Sequence, residues 1–419
     1  MTVEDPTVEE RLTRRGIPVD RDLRILALGQ FANRFGTGAV ITTSALYFTR
    51  QVGFAPNEVA LAMSVGAVVG MVVQVPAGHW GDTRGPREVL TFFMTGAAIF
   101  SAPPVLARSP WALALLLGIL AFFERGAGAV NQGVIAQLAT GGRGVLFKAY
   151  LRAVTNSAIG LGSMLGGAAL IVDDVWAYVA VFVLNAALTG FAAFNSTRLP
   201  HLPAHERGEG EPRLAVLRDW PYVVISALTG LFTLHFVVME LGLALYISER
   251  TAAPTVMVAV LLIVNTAMVA LFQVRFSRRS DSVEAGAKAL VRGSLWIAAG
   301  FALVALAGRG SYWAAIVVLV AGSLVHVVGE MIGSGGQWGL QLGLAPHEKQ
   351  GQYQGFAGLG FSVTAVIGPP VVTYFCVEQG ERGWFMLAGL MVGIALVTLP
   401  AARWALASRE RYGVTTHSG

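Results

Sequence analysis

Residues 74–82 read QVPAGHWGD, and residues 273–281 read QVRFSRRSD, so a Gln-Val pair and an aspartate recur 199 positions later. Both stretches begin in the last residues of an apolar segment and continue beyond its end. The tyrosine near the end of another apolar segment, Tyr47, recurs at the same offset as Tyr246. A repeat of this length that includes hydrophobic segments predicts two similar membrane bundles joined in tandem.

The composition is typical of a membrane protein. Of the 419 residues, 54% are hydrophobic and 13% are charged, and the mean hydropathy is +0.61. A soluble domain carries about 25% charged residues, and a helix needs about 20 apolar residues to cross a bilayer. We therefore predict an all-α membrane protein with twelve transmembrane helices in two pseudo-symmetric six-helix bundles. The predicted spans are 25–48, 59–77, 89–107, 111–136, 152–172, 176–194, 221–247, 255–274, 289–307, 313–337, 354–376 and 384–406.

The longest polar stretch between predicted spans is 195–220. Its Pro, Glu and Arg content predicts a linker between an N-terminal bundle (25–194) and a C-terminal bundle (221–406). Residues 1–24 and 407–419 are the predicted N-terminal leader and C-terminal tail. The first span is too long for the core of a signal peptide, so no cleavable signal peptide is expected.

The basic residues are unevenly distributed over the predicted loops. With both termini inside, the inner loops and adjoining helix ends hold 23 of the 30 Lys and Arg residues, and the outer loops hold five. The positive-inside rule then places leader, linker and tail in the cytoplasm of a cell with the chain in its inner, cytoplasmic membrane. A nucleic-acid partner is not expected, because that requires one clustered basic face. The single Cys376 excludes an internal disulfide and a cysteine-based metal site.

The loop after the second predicted span carries a motif. Residues 78–87 read GHWGDTRGPR. This resembles the loop signature of the major facilitator superfamily, which has a glycine, three residues, an aspartate and a basic–glycine–basic run at the same place. Its aspartate can lie at a helix N-terminus or pair with arginine, which predicts a gating loop that joins helix ends on the inner side. Thr83 stands where the superfamily usually has a basic residue. The matching residues are Gly78, Asp82, Gly85 and Arg87.

Glycines in the fifth predicted span resemble the antiporter motif of this superfamily, and the chain resembles its drug/proton antiporter, or multidrug exporter, branch. Ser163 stands where that motif has proline, whereas the second half keeps a Gly-Pro pair. The alternative is close helix packing by small residues. The residues of this predicted helix-packing motif are Gly160, Gly162, Gly166, Gly167, Gly368 and Pro369.

Three charged residues lie inside predicted spans of the first half. Arg34 lies about 15 Å along the first span from Arg24, and Glu124 and Arg125 lie in the fourth. A charge at the bilayer centre costs roughly 3 kcal/mol or more, so these side chains should face protein or water. The resemblance implies proton or substrate handling in the fourth span, and a salt bridge that only locks helices is the alternative. Arg34 would either pair with Glu124 or receive an anionic group of the substrate.

The second half carries titratable residues in its seventh and tenth spans. A carboxylate whose surroundings change also changes its proton affinity, which is the physical basis of proton coupling. The alternative for each histidine is a hydrogen-bonded residue between helices. A metal site is not expected, because the His/Glu pairs lie on different helices with no closed ligand set in the sequence. The predicted proton-coupling residues are Glu124, Glu240, Glu330, His235 and His326.

Polar and aromatic side chains on spans that would line a cavity form the predicted substrate site. The aromatic residues favour a substrate with an apolar or aromatic surface. The alternative is that they pack inside the protein or face lipid. The predicted substrate-binding residues are Gln30, Asn33, Arg34, Arg125, Phe31, Phe123, Phe232, Phe236 and Tyr246.

Together these features predict a proton-coupled secondary transporter that exports an amphipathic small molecule or drug by alternating access. The alternative is an uptake symporter or uniporter for a polar or anionic metabolite, with Arg34 and Arg125 as an anion clamp. A third reading is a transporter-like receptor that moves nothing. No phosphate loop or catalytic constellation is present in the sequence, so an enzyme, an ATP-driven pump and a cofactor are not expected. The expected partners are the substrate, protons and the lipid bilayer, and the expected state is a monomer.

Overall fold

The computed structural model describes residues 17–139, 143–205, 212 and 214–412. Most of the predicted leader, part of the linker and most of the tail therefore lie outside the described residues. The described part folds into twelve long helices, one at each predicted span. The first six are α1 (Arg21–Leu46), α2 (Pro56–Arg84), α3 (Pro86–Ser101), α4 (Pro110–Leu138), α5 (Arg143–Val172) and α6 (Val175–Ser196).

The remaining six helices follow the linker. They are α7 (Trp220–Arg250), α8 (Val256–Ser277), α9 (Val283–Leu306), α10 (Tyr312–Leu344), α11 (Gln350–Val372) and α12 (Glu381–Ala407). The chain is thus an all-α membrane protein, as predicted. Several helices extend beyond the predicted apolar spans, because helical hydrogen bonding continues past the segment that needs to be apolar.

Eleven of the twelve described helices are long and apolar enough to cross a membrane. The exception is α1, which has 26 residues and carries Gln30, Asn33 and Arg34 in its interior. Such side chains are costly in lipid and persist in a spanning helix where protein or water surrounds them. The polarity of α1 therefore indicates that protein or water, and not lipid, surrounds this helix along much of its length.

The fold divides into two compact units. Unit 1 comprises Met1–Thr140, Tyr150–Ala215 and His347–Phe356. Unit 2 comprises Gly141–Ala149, Val216–Pro346 and Ala357–Gly419. Unit 1 therefore includes the start of α11, and unit 2 includes the start of α5, which a division of the sequence at the linker does not predict.

Local sequence explains many of the helix starts. The turn between α2 and α3 is made by Gly85, whose φ of +97° is a left-handed conformation that favours glycine. Pro86 then begins α3, where its missing N–H is not needed. In other described helices a side chain accepts a backbone N–H of the first turn, which satisfies an otherwise unpaired donor. These capping residues are Asp20, Ser109, Asp174, Asp219 and Ser282.

The internal repeat has a direct structural counterpart. In unit 1, the hydroxyl of Tyr47 donates a hydrogen bond of 2.9 Å to the carbonyl of Val105, just beyond the end of α3. In unit 2, the hydroxyl of Tyr246 donates a hydrogen bond of 2.9 Å to the carbonyl of Ala305, near the end of α9. Both tyrosines are buried. The recurring tyrosines therefore join the first helix of each half to its third helix in the same way.

The predicted helix-packing motif is only partly engaged in close contacts. A Cβ at Gly162 or Gly166 would collide with backbone carbonyls of α1, so these two glycines allow α1 and α5 to approach closely. A Cβ at Gly160 or Gly167 would meet no described atom within 4 Å. In unit 2, Gly368 packs directly against a valine of α7.

The described residues include three π-helical turns: Tyr47–Gln51 follows the end of α1, Val238–Gly242 lies within α7, and Thr373–Glu378 follows the end of α11. The last follows Pro369, which lies inside α11 and lacks the N–H that a regular helix uses there. Turns of this kind are often found at functional sites. The second contains Glu240, an exposed member of the predicted proton-coupling set.

Candidate functional site

Polar residues of α1 tie that helix to two neighbours within unit 1. The side-chain amide of Gln30 donates to the hydroxyl of Thr155 on α5 at 3.0 Å. The side-chain amide of Asn33 donates to the hydroxyl of Thr189 on α6 at 3.3 Å. Both predicted substrate-binding residues are therefore already engaged in contacts between helices.

The charged residues Arg34, Glu124 and Arg125 interact with one another in unit 1. Glu124 interacts electrostatically with both arginines, yet within the described residues it makes no hydrogen bond and no close ion pair. Glu124 and Arg125 are exposed and Arg34 is half-buried. The Nε atom of Arg34 is buried without a hydrogen-bond partner among the described residues. The predicted pairing of Arg34 with Glu124 therefore exists as an electrostatic interaction and not as a short salt bridge that locks two helices.

The position of Glu124 shows how unusual its exposure is. α4 has 29 residues and runs from Pro110 to Leu138, so Glu124 lies at its midpoint, about 21 Å from either end. The neighbouring Arg125 passes over α2 at Gly70, where a Cβ would lie 2.6 Å from the Cγ of the arginine. A charged side chain at this depth indicates a protein-lined or water-filled environment.

The loop motif holds the start of α11 within unit 1. The carboxylate of Asp82 accepts the backbone N–H groups of Gly351 at 2.8 Å and of Gln352 at 2.7 Å. A Cβ at Gly78 would collide with the carbonyl oxygen of Gly351, so this glycine permits the close approach. Asp82 is buried and acts as an acceptor at a helix N-terminus, where negative charge is favoured. Arg87 is half-buried.

Two histidines and a glutamate meet in the interior of unit 2. Nδ1 of His235 on α7 lies 3.1 Å from Nε2 of His326 on α10. Nδ1 of His326 lies 3.9 Å from a carboxylate oxygen of Glu330, one turn further along α10. The side-chain amide of Asn265 on α8 donates to the same carboxylate at 3.0 Å. We call His235, His326 and Glu330 the histidine–glutamate cluster.

The histidine–glutamate cluster has a geometry that the sequence did not predict. No shared set of metal ligands was expected from the sequence, because the residues lie on different helices. Packing of α7 against α10 nevertheless brings their potential ligand atoms within 4.8 Å of one another. All three side chains are buried. Sequence reasoning also missed Asn265, whose signal is an amide side chain near the middle of α8, after a run of apolar residues. The predicted proton-coupling role of these residues stays a prediction.

The predicted aromatic residues do not gather around one site. Phe232 and Tyr246 are buried and pack inside unit 2. Phe236 packs on the ring of His235, at a centroid distance of 4.0 Å. In unit 1, Phe123 lies in an aromatic cluster of α3 and α4, and Phe31 lines an apolar recess formed by α1 and α6. Packing, which was the alternative interpretation, accounts for the environments of Phe232, Tyr246 and Phe123.

Comparison with known proteins is consistent with this architecture. The sequence model of the Major Facilitator Superfamily matches residues 26–341. Tetracycline resistance protein, class E, of Escherichia coli is 25% identical over 390 residues, which are 88% of this chain and 92% of that protein.

Two solved structures show the same fold. A bacterial homologue of the iron transporter ferroportin in the outward-facing state aligns with a TM-score of 0.72 and 16% identity, covering 93% of this chain and 100% of that one. The human organic anion transporter MFSD10 (TETRAN) aligns with a TM-score of 0.69 and 16% identity, covering 90% of this chain and 99% of that one.

Proposed function

Because the chain belongs to the major facilitator superfamily of membrane transporters, we propose that it is a proton-coupled exporter of an amphipathic small molecule that works by alternating access. The similarity to a tetracycline resistance protein over 88% of the chain supports export of a drug-like molecule. Neither the twelve helices nor the superfamily determines the substrate, because function resides in the site and not in the scaffold. The charged residues of unit 1 therefore carry the proposal.

The single observation on which the proposal rests is the environment of Glu124. Glu124 lies at the midpoint of α4, and its carboxylate interacts electrostatically with Arg34 and Arg125 without a short contact among the described residues. A structural salt bridge would need the short, well-aligned contact that is missing here. A carboxylate without a short ion pair at this depth can exchange a proton where water reaches it and can meet a substrate.

Proton coupling follows from the charges of this trio. With Glu124 ionised, the two arginines and the carboxylate carry a net charge of +1, and a proton on Glu124 raises it to +2. At short range and low dielectric, one unit of charge changes an interaction by several kcal/mol. A proton on Glu124 therefore increases the repulsion of a cationic substrate group at this site, and loss of the proton reduces that repulsion. Exchange of protons for substrate requires this competition.

The proposal is tested by transport into proteoliposomes driven by a pH gradient, with tetracycline and the fluorescent cation ethidium as probes. Glu124→Gln removes the exchangeable proton and keeps the shape of the side chain, so gradient-driven transport should be abolished. Glu249→Gln is the matched control, since Glu249 is exposed at the outer end of α7 and should transport like the wild type. Undiminished proton-driven transport by Glu124→Gln would refute the assignment. Glu240 remains a second predicted carboxylate for the same assay.

One observation favours a second candidate, uptake or uniport of an anionic metabolite. Arg34 presents a buried Nε without a hydrogen-bond partner among the described residues, and the trio has an excess of positive charge. An anionic substrate group could accept a hydrogen bond from this Nε and could also neutralise the excess positive charge. Arg34→Gln should then remove the thermal stabilisation that acidic ligands give in a binding screen. An exporter of cations or neutral drugs would instead keep its affinity in this variant.

A further inference from the structure

The histidine–glutamate cluster has the composition of a transition-metal site. Two imidazoles and one carboxylate form the donor set of many zinc sites that keep a fourth position open. His326 and Glu330 are four residues apart on α10, a spacing that places two ligands on one helix face. His235 supplies the third donor from α7. All of these residues belong to unit 2, and none of them is part of the charged trio of unit 1.

The distances are close to those that a metal ion requires. Zinc binds imidazole nitrogen at about 2.0–2.1 Å in tetrahedral geometry, so two nitrogen ligands of one ion lie about 3.3 Å apart. The facing nitrogens of His235 and His326 are 3.1 Å apart. The carboxylate oxygen completes a set whose atoms lie within 4.8 Å of one another. The Glu330 oxygen lies 3.9 Å from the other ring nitrogen of His326, Nδ1, so metal binding requires the Glu330 side chain to rotate towards Nε2.

The surroundings match those of a metal site in two further respects. Asn265 donates to the carboxylate of Glu330 at 3.0 Å and so orients a ligand, as partners just outside metal sites commonly do. Aromatic rings enclose the histidines: Phe236 lies 4.0 Å from the ring of His235, and Phe301 stacks 5.8 Å from the ring of His326. These apolar walls exclude water and strengthen binding of a cation to its ligands.

We propose that His235, His326 and Glu330 bind one transition-metal ion of the zinc class in the interior of unit 2. The site is distinct from the charged trio to which the proposed function assigns the proton. Without a metal, the hydrogen bonds His235–His326 and Asn265–Glu330 join α7, α8 and α10, and these polar contacts are the competing explanation for the proximity of the residues.

Cobalt(II) distinguishes the two explanations, because its visible absorption bands report coordination by protein ligands. The full-length protein is purified in detergent with an affinity tag that contains no histidine, stripped of metal with a chelator and titrated with Co²⁺. We expect one equivalent of Co²⁺ to produce bands of a four-coordinate site, and Zn²⁺ to displace it. Zn²⁺ should also raise the unfolding temperature of the protein, because it binds the folded state.

The variants locate the site. His235→Ala, His326→Ala and Glu330→Gln should each abolish the bands, and Asn265→Leu should weaken binding about 10–100-fold. His201→Ala is the matched control, because His201 forms a surface pair with Glu88 at 2.7 Å and should leave the bands unchanged. If an alanine variant does not fold, as judged by size-exclusion chromatography, Glu330→Gln alone decides, since it preserves size and hydrogen bonding.

Absence of cobalt bands in the wild type, or bands that persist in a folded Glu330→Gln or His326→Ala variant, would overturn the proposal. Loss of the bands in His201→Ala would place the metal on the surface and would overturn it as well. The measurement uses neither substrate nor gradient. Its result is therefore independent of whether the chain exports drugs.

Discussion

Replacing Asp82 by asparagine should destabilise the protein by removing the acceptor that holds the start of α11. The carboxylate accepts N–H groups of Gly351 and Gln352 at 2.8 and 2.7 Å. Hydrogen bonds to charged groups contribute about 1.5–3 kcal/mol each, and negative charge at a helix N-terminus contributes about 0.3–1 kcal/mol. Asparagine keeps one acceptor oxygen but turns an amide towards the other N–H. We therefore expect a loss of roughly 2–4 kcal/mol.

The assay is thermal unfolding of detergent-purified protein, followed by tryptophan fluorescence. Asp82→Asn should lower the unfolding midpoint by several degrees. The repeat supplies the control, since Asp281 occupies the equivalent sequence position and is exposed. Asp281→Asn should change stability by no more than about 0.5 kcal/mol.

A second variant tests whether the two sides of this contact act together. A Cβ at Gly351 would lie 2.6 Å from the carboxylate of Asp82, so Gly351→Ala should disturb the same hydrogen bonds. The double variant should then lose less stability than the sum of the single variants. Equal midpoints for Asp82→Asn and Asp281→Asn would show that the capping interaction does not stabilise the fold and would refute the reasoning.

Two further predictions concern buried contacts. Arg409 is fully buried and donates to both carboxylate oxygens of Asp219, at 2.9 and 2.7 Å. Arg409→Met should therefore lower the free energy of unfolding by about 3–5 kcal/mol, because it leaves a buried charge unpaired. Thermal unfolding measures the loss, with the exposed Arg411→Met as the control, and equal unfolding midpoints of the two variants would contradict the expectation. Tyr47→Phe and Tyr246→Phe each leave one buried carbonyl without its donor, so each should cost about 1–3 kcal/mol. If one variant loses about 1–3 kcal/mol of unfolding free energy and the other loses none, the repeated hydrogen bonds are not equivalent.

Much of the fold could be predicted because a membrane helix can be recognised from a local run of apolar residues. Each of the twelve predicted spans coincides with a helix, and the recurrence of Tyr47 as Tyr246 corresponds to the same hydrogen bond in each half. The helix α1 carries Gln30, Asn33 and Arg34 in its interior, yet segment 25–48 was predicted as a span with the others, because apolar residues surround these three.

The candidate site was less predictable, because residue type does not reveal neighbours. The sequence left two roles open for Arg34, a pair with Glu124 or a contact with an anionic substrate group, and in the structure Arg34 and Glu124 interact electrostatically without a short ion pair among the described residues. The aromatic residues were expected to share a cavity, but Phe232 and Tyr246 fill the interior of unit 2. An aromatic ring suits a core, a lipid-facing surface and a ligand pocket equally, so its type alone cannot choose among them.

The amino-acid sequence by itself determined the number, the order and the approximate ends of the helices. The reason is that a chain in lipid satisfies its backbone hydrogen bonds within each helix, so that about 20 apolar residues are both necessary and recognisable. Only the tertiary structure decided that Asp82 caps α11 and that His235 meets His326, 91 positions later. Those contacts join helices far apart in the chain, and they depend on how helix faces pack, which no local pattern of residues records.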